Sequence, residues 1–254
     1  MRFRLPLESH CCIGQWTVRG GRSAVAARSS FSPLGHGMNL KSYRLFIFDL
    51  DNTLVSSESQ HTAAFAQAIR ELAGYELTEE DRHDYIGNTS GWLANKIIRK
   101  MGYTHITPQD VSRRKGECVM KSFEARPFPG ACEFVRRHYG RMKLGVASNS
   151  PRDFVHYALR LIGLFDLMDK IKTVEDVKER KPDPEMFLAL SSELGVPPSE
   201  CLVFEDTGLG LEAAARGGFP AVLMVNPGNL LPDVIPEGIP TMTWPQLLAA
   251  AAAE

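Results

Sequence analysis

The chain has 254 residues, 44% hydrophobic and 23% charged, enough for one sizeable core or a core with a smaller domain. A formal net charge of −1 excludes a general attraction to nucleic acid or to an anionic membrane surface. No apolar run approaches the ~18 residues that a membrane-spanning helix needs.

The elements follow in chain order. Residues 1–37 carry five arginines, a single acid (Glu8) and no sustained period, so they read as an unstructured tail or an over-extended start. An Arg- and Ser-rich targeting peptide is the alternative. Leu45–Leu50 is a continuous apolar run and is predicted to be a strand buried on both faces. The segment "SESQHTAAFAQAIRELAG" places Ala64, Phe65, Ala68, Ile69 and Leu72 at helical spacing, with Gly74 as its stop. Two more helices are predicted at "GWLANKIIRKMG" and around residues 108–124. Pro127, Pro129 and Gly130 then punctuate the chain.

From there helices and strands alternate. Helix 131–139 precedes strand 142–148, and helix 151–162 precedes a short strand near 171–174. Helix 184–194 precedes strand 201–205, helix 208–216 precedes strand 221–225, and a short strand near Thr241 leads into an Ala-rich helix. This alternation predicts an α/β fold, a Rossmann-like parallel sheet covered on both faces. The all-helical stretch 57–125 is predicted to be an inserted helical lid, with 38–56 and 126–254 forming the core. The five cysteines (Cys11, Cys12, Cys118, Cys132 and Cys201) are scattered and form no C-x-x-C, which fits free thiols in a reducing compartment.

Ligands of open parallel sheets bind outside the carboxyl ends of the strands. The first strand delivers Asp49 and Asp51 there, and the second delivers Ser148 and Asn149. A later loop brings Lys181, and the strand after it brings Glu205 and Asp206. A carboxylate can attack phosphorus and form an aspartyl-phosphate. A second one, two residues on, lies on the same side of an extended chain and can serve as general acid and then base. Buried acids need neutralising, which a divalent cation on oxygen ligands and Lys181 can supply.

In these motifs, "DLDNT", "SN", "KPDP" and "ED", the sequence resembles the haloacid dehalogenase superfamily over about residues 43–225. The helical insert is similar to the α-helical cap of its first subfamily. "TLVSSESQHTAAF" and "YIGNTSGWLANKII" are similar to its β-phosphoglucomutase-like, sugar-phosphatase branch. The resemblance implies Asp49 as nucleophile and Mg²⁺ ligand, and Asp51 as acid/base lending the metal its backbone carbonyl. It implies phosphate binding by Ser148, Asn149 and Lys181, and a metal site completed by Asp206 with Glu205. Thr53 would support the loop, and Asn52 stands where many relatives have Gly.

In the insert, His61 is implied as a contact of the Asp51 loop, with Glu58 a weaker candidate. Asn88 and Trp92 are candidate substrate contacts, Trp92 reading more readily as cap core. The implied activity is Mg²⁺-dependent hydrolysis of a small phosphomonoester, a sugar or polyol phosphate, by a cytoplasmic monomer or weak dimer. A phosphosugar mutase is the alternative. It would need a cation in the cap, but Ser90 stands where the branch uses arginine, leaving Lys96 as the residue in reach.

Overall fold

The computed structural model describes residues 39–253, apart from 86–88, 230, 233 and 234. Residues 1–37 and Asn88 lie outside the described residues. Six parallel strands form one sheet: β1 (Leu45–Phe48), β2 (Lys143–Ala147), β3 (Lys170–Lys172), β4 (Cys201–Glu205), β5 (Ala221–Met224) and β6 (Thr241–Met242). Their spatial order is β3-β2-β1-β4-β5-β6, so β1 sits at the centre, flanked by β2 and β4. The direction of travel across the sheet reverses at β1, the switch point where α/β folds place their ligands.

The apolar run of β1 is explained by burial on both sides. Phe46 and Phe48 enter one cluster, and Leu45 and Ile47 enter another on the opposite face. In β4, Leu202 and Phe204 share the first cluster, and Cys201 and Val203 the second. Phe48 stacks on Phe204 with ring centroids 5.0 Å apart, a pair worth ~0.5–1.5 kcal/mol beyond its buried area. Helices α5 (Ala131–His138), α6 (Arg152–Leu161) and α9 (Trp244–Ala253) cover the first face through Phe134, Phe154 and Trp244. Helices α7 (Glu185–Leu194) and α8 (Gly208–Gly217) cover the second through Phe187 and Leu211.

Between β1 and α5 the chain is helical: α1 (Glu58–Ala73), α2 (Glu79–Tyr85), α3 (Ser90–Met101) and α4 (Pro108–Ser122). These helices hold an apolar cluster of their own, including Phe65, Ile69, Leu93, Ile97 and Val111. The two linkers into this insert run side by side. Ser56 N donates to Arg126 O (2.9 Å) and Phe128 N to Leu54 O (3.0 Å). The Gln60 side chain clasps both, donating to Ser56 O and Glu124 O and accepting from Glu124 N at 2.7 Å.

Three details differ from the sequence expectations. Strand β1 ends at Phe48 rather than Leu50; Asp49 still bonds β4 through its N–H, and the chain then turns at Asn52, which adopts a left-handed φ of 56°. Strand β3 spans 170–172 rather than 171–174. Helix α2 is not marked in the sequence, since no apolar period runs through it; among its described side chains only Asp81 and Tyr85 are buried. It is fixed instead by Asp81, whose Oδ2 accepts from Thr78 N, Thr78 Oγ1 and Tyr75 OH. No helix among the described residues is long and apolar enough to cross a membrane.

Candidate active site

The carboxyl ends of β1, β2 and β4 converge with the loop before α7. Asp49 continues the β1 ladder, its N–H donating to Phe204 O at 2.9 Å, which fixes its carboxylate at the sheet edge. Lys181 arrives from the loop before α7. Its ammonium donates to Asp49 Oδ1 (2.8 Å), to Ala147 O (2.8 Å) and to Glu205 Oε1, so all three protons are spoken for. Lys181 and Glu205 are buried, and the lysine also lies 5.1 Å from the Phe187 ring centroid.

Oxygens of Asp49, Glu205 and Asp206 lie within 4.8 Å of one another, all three residues buried. One lysine does not balance three carboxylates. Burial pushes the carboxyl of Asp49 well above its ordinary range, and the charges of Glu205 and Asp51 add to this against the pull of Lys181. Burial does the same to Asp206, with Asp49 and Glu205 adding to it. Burial alone would lower Lys181, but Asp49 and Glu205 outweigh it and hold the ammonium above the ordinary lysine range. Such a cluster calls for a cation, and an all-oxygen donor set suits a hard one such as Mg²⁺.

The hydrogen bonds sort these carboxylates. Both oxygens of Glu205 are already engaged, Oε1 by Lys181 and Oε2 by Thr207 N (3.1 Å) and Thr207 Oγ1 (2.9 Å). Asp206 Oδ1 accepts from the buried Thr53 hydroxyl at 3.0 Å, the supporting role expected of Thr53. The second oxygens of Asp49 and Asp206 meet no hydrogen-bond donor among the described residues. They are the freest oxygens for a metal, with Glu205 behind them.

The Asp51 carboxylate is not part of that trio. Its Oδ1 accepts from Ser57 Oγ (2.6 Å) and His61 Nε2 (2.9 Å), and its Oδ2 from Ser150 Oγ (2.6 Å). Ser148 Oγ stands farther off, at 3.5 Å. Burial pushes Asp51 up, but the attraction of His61 and the hydrogen bonds from His61, Ser150 and Ser57 outweigh it. The carboxyl is held below the ordinary carboxylate range. His61 also packs edge-on against Phe154, 4.8 Å between centroids, and its Nδ1 is buried without a hydrogen-bond partner.

Asn52 braces this loop. Its Oδ1 accepts from Ser57 N and Glu58 N at the start of α1, and its Nδ2 donates to Glu58 Oε2 at 3.1 Å. The backbone carbonyls of Asn52 and Thr53 receive donors from Asn226, Asn229 and Trp244. The left-handed turn at Asn52 is thus pinned from both sides. The tolerance of Asn for positive φ explains its presence where Gly would otherwise serve.

Of the residues expected from sequence, Asp49, Asp51, Ser148, Asn149, Lys181, Glu205, Asp206 and His61 come together. Asn149 does so in an unexpected way. Its amide donates to Lys181 O (3.3 Å) and accepts from Lys181 N (3.1 Å), so the side chain ties the lysine loop to the β2 loop. Lys96 is ion-paired with Glu80 (3.1 Å) and Asp84 of α2, which takes it out of consideration as a free cap cation. Trp92 is 47% exposed and outside the apolar cluster of the insert, so it is not helix core.

Sequence reasoning missed Ser57, Ser150 and Gly210. Ser150 repeats the two-residue spacing from Ser148, a signal visible in "SNS". Gly210 has a spatial reason only: a Cβ there would lie 1.9 Å from Glu205 Cδ.

The model of the haloacid dehalogenase-like hydrolases matches residues 43–218. The protein YhcW of Bacillus subtilis is 35% identical over 72% of this chain and 84% of its own length. The fructose-1-phosphate phosphatase YqaB of Escherichia coli is 29% identical over 71% of this chain and 95% of its own. The crystal structure of CbbY from Rhodobacter sphaeroides in complex with phosphate superposes with a TM-score of 0.71 at 24% identity, over 82% of this chain and 98% of that one.

Proposed function

Given that this chain belongs to the haloacid dehalogenase-like hydrolases, we propose that it hydrolyses a small phosphomonoester, a sugar or polyol phosphate, through an aspartyl-phosphate on Asp49. The observation that carries this reading is the buried cluster of Asp49, Lys181, Glu205 and Asp206, with Asp51 two residues on and held by a separate set of donors. The name of YqaB, a fructose-1-phosphate phosphatase, supports the substrate class.

In the first step the Asp49 carboxylate attacks phosphorus, an O–P bond forms to Asp49 and the bond to the leaving oxygen breaks. Asp51 gives that oxygen its proton. That carboxyl carries the proton into the step, held in place by Ser57, His61 and Ser150. In the second step Asp51 takes a proton from water, whose oxygen attacks phosphorus and frees Asp49 and inorganic phosphate. Lys181 holds the Asp49 carboxylate in place and offsets charge developing on the phosphoryl oxygens. Asp49 and Asp206, with the Asp51 carbonyl and Glu205 behind them, would hold Mg²⁺. When bound, it supplies charge neutralisation between nucleophile and phosphate.

The test is release of inorganic phosphate from a panel of hexose, polyol and nucleotide monophosphates with and without Mg²⁺. Asp49→Asn is expected to lower turnover at least about a thousandfold while the protein still folds. Wild-type rates in that variant overturn the nucleophile assignment. Isomerisation of a hexose 1-phosphate without net phosphate release would point instead to the mutase.

A further inference from the structure

Strand β2 and its loop grip Lys181 at both ends. Ala147 O, at the end of the strand, accepts from the ammonium at 2.8 Å. Two residues on, the Asn149 side chain pairs with the lysine backbone: Lys181 N donates to Asn149 Oδ1 (3.1 Å) and Asn149 Nδ2 donates to Lys181 O (3.3 Å). The serines on either side of Asn149 face Asp51 instead. Ser150 Oγ donates to Asp51 Oδ2 at 2.6 Å, Ser148 Oγ stands 3.5 Å from it, and Ser150 N donates to Ser148 Oγ. The serines thus serve the acid/base, and the asparagine between them serves the lysine loop.

Little else fixes that loop at the lysine. Pro182 follows Lys181 and has no N–H to give. Asp183 N closes a turn on Arg180 O (2.9 Å), and the exposed Arg216 donates to Pro182 O at 3.0 Å. Neither bond involves Lys181 itself: among the described residues, its backbone N–H and C=O pair with Asn149 alone. Lys181 is buried, where a backbone polar group without a partner is costly. Its ammonium meets the nucleophile, Asp49, at 2.8 Å. A misplacement of about 1 Å at such a group can cost about a hundredfold in rate.

We propose that Asn149 is a positioning residue of the proposed hydrolysis: it seats the Lys181 backbone so that the ammonium meets Asp49, instead of binding the transferring phosphate as the "SN" motif implies. The inference rests on the phosphomonoester reading above. Asn149 has two amide protons, of which one is committed to Lys181 O, and its carbonyl oxygen is committed to Lys181 N. The three protons of the lysine are engaged by Asp49, Ala147 O and Glu205 before any phosphate arrives. Loosening the lysine therefore weakens turnover more than the binding of free phosphate.

The experiment measures kcat with Mg²⁺ on the fastest substrate of the monophosphate panel, with inorganic phosphate as competitive inhibitor. It compares the wild type, Asn149→Ala, Lys181→Met and the double variant. Asn149→Ala is expected to lower kcat at least about tenfold and to leave the inhibition constant of phosphate within about twofold of the wild type. In the Lys181→Met background the same change is expected to alter kcat by less than about twofold, because the residue it acts through is gone. Asn149→Ser, whose hydroxyl is too short to bridge both backbone groups, repeats the test, and thermal unfolding shows which variants are folded. If Lys181→Met does not fold, the split between kcat and phosphate inhibition decides. Wild-type kcat in Asn149→Ala overturns the inference. So does an inhibition constant that rises in step with the fall in kcat, as loss of a direct hydrogen bond to phosphate would give, and so do losses that multiply in the double variant. These outcomes leave the phosphatase reading standing. Failure of the wild type to hydrolyse any phosphomonoester overturns that reading and the inference with it.

Discussion

Lys181 Nζ stands 2.8 Å from Asp49 Oδ1, across 132 positions of sequence, and the same ammonium bonds Glu205. Breaking a buried ion pair from one side leaves an uncompensated charge and costs about 3–5 kcal/mol. Here the loss strands three carboxylates. Lys181→Met is expected to destabilise by about that amount and to lower kcat at least about a hundredfold. Urea unfolding measures the first and steady-state kinetics the second. Added Mg²⁺ should raise the melting temperature more in the variant than in the wild type, because the ion replaces the missing positive charge.

His61 is the neighbour whose attraction and hydrogen bond do most to keep Asp51 below the ordinary carboxylate range against burial. A depressed folded-state value contributes stability that is present above the unfolded value of about 3.9 and is lost as pH falls below it. In His61→Leu, burial is left opposed only by hydroxyls, so Asp51 titrates higher. The variant should be less stable than the wild type by about 1–3 kcal/mol at pH 7, with the deficit shrinking toward pH 4. The alkaline limb of kcat/KM, set by the protonated Asp51 that the first step needs, should also move to higher pH. A deficit that does not change with pH would refute this coupling.

Gln60 clasps both linkers of the insert through Ser56 O, Glu124 O and Glu124 N. Gln60→Leu removes these hydrogen bonds and keeps most of the side-chain volume. About 1–2 kcal/mol of stability should be lost, since each net bond contributes roughly 1 kcal/mol. Amide exchange at Glu124 should accelerate, while exchange in β1 and β4 stays slow.

Gly210 sits on the first turn of α8, where an added Cβ would overlap the Glu205 carboxylate at 1.9–2.4 Å. Gly210→Ala must therefore push Glu205 off Lys181 and Thr207. A gain in helix propensity of up to ~1 kcal/mol is outweighed by overpacking of ~1–3 kcal/mol and by the disturbed lysine. Activity should fall at least about tenfold. A stabilised, fully active variant would show that the helix can shift to make room.

Much of the site could be read along the chain. Each catalytic motif follows an apolar run or a proline-marked loop, and the two-residue step from Asp49 to Asp51 survives folding as two carboxylates with different partners. Residues that act through space left weaker traces. Ser57 reads as an ordinary helix start, and Gly210 resembles any small helix residue until Glu205 is placed beside it.

The sequence by itself determined the parallel sheet, the helical insert and the carboxylates at the sheet edge. Apolar runs and helical periods are local properties, and burial converts them directly into strands and amphipathic helices. Only the tertiary structure decided what each carboxylate does. Lys181 and Ser150 come from segments distant from the acids, and their hydrogen bonds, with those of Ser57 and His61, rather than the spacing of the acids, set Asp49 on the lysine and hold Asp51 between Ser150 and the start of the insert.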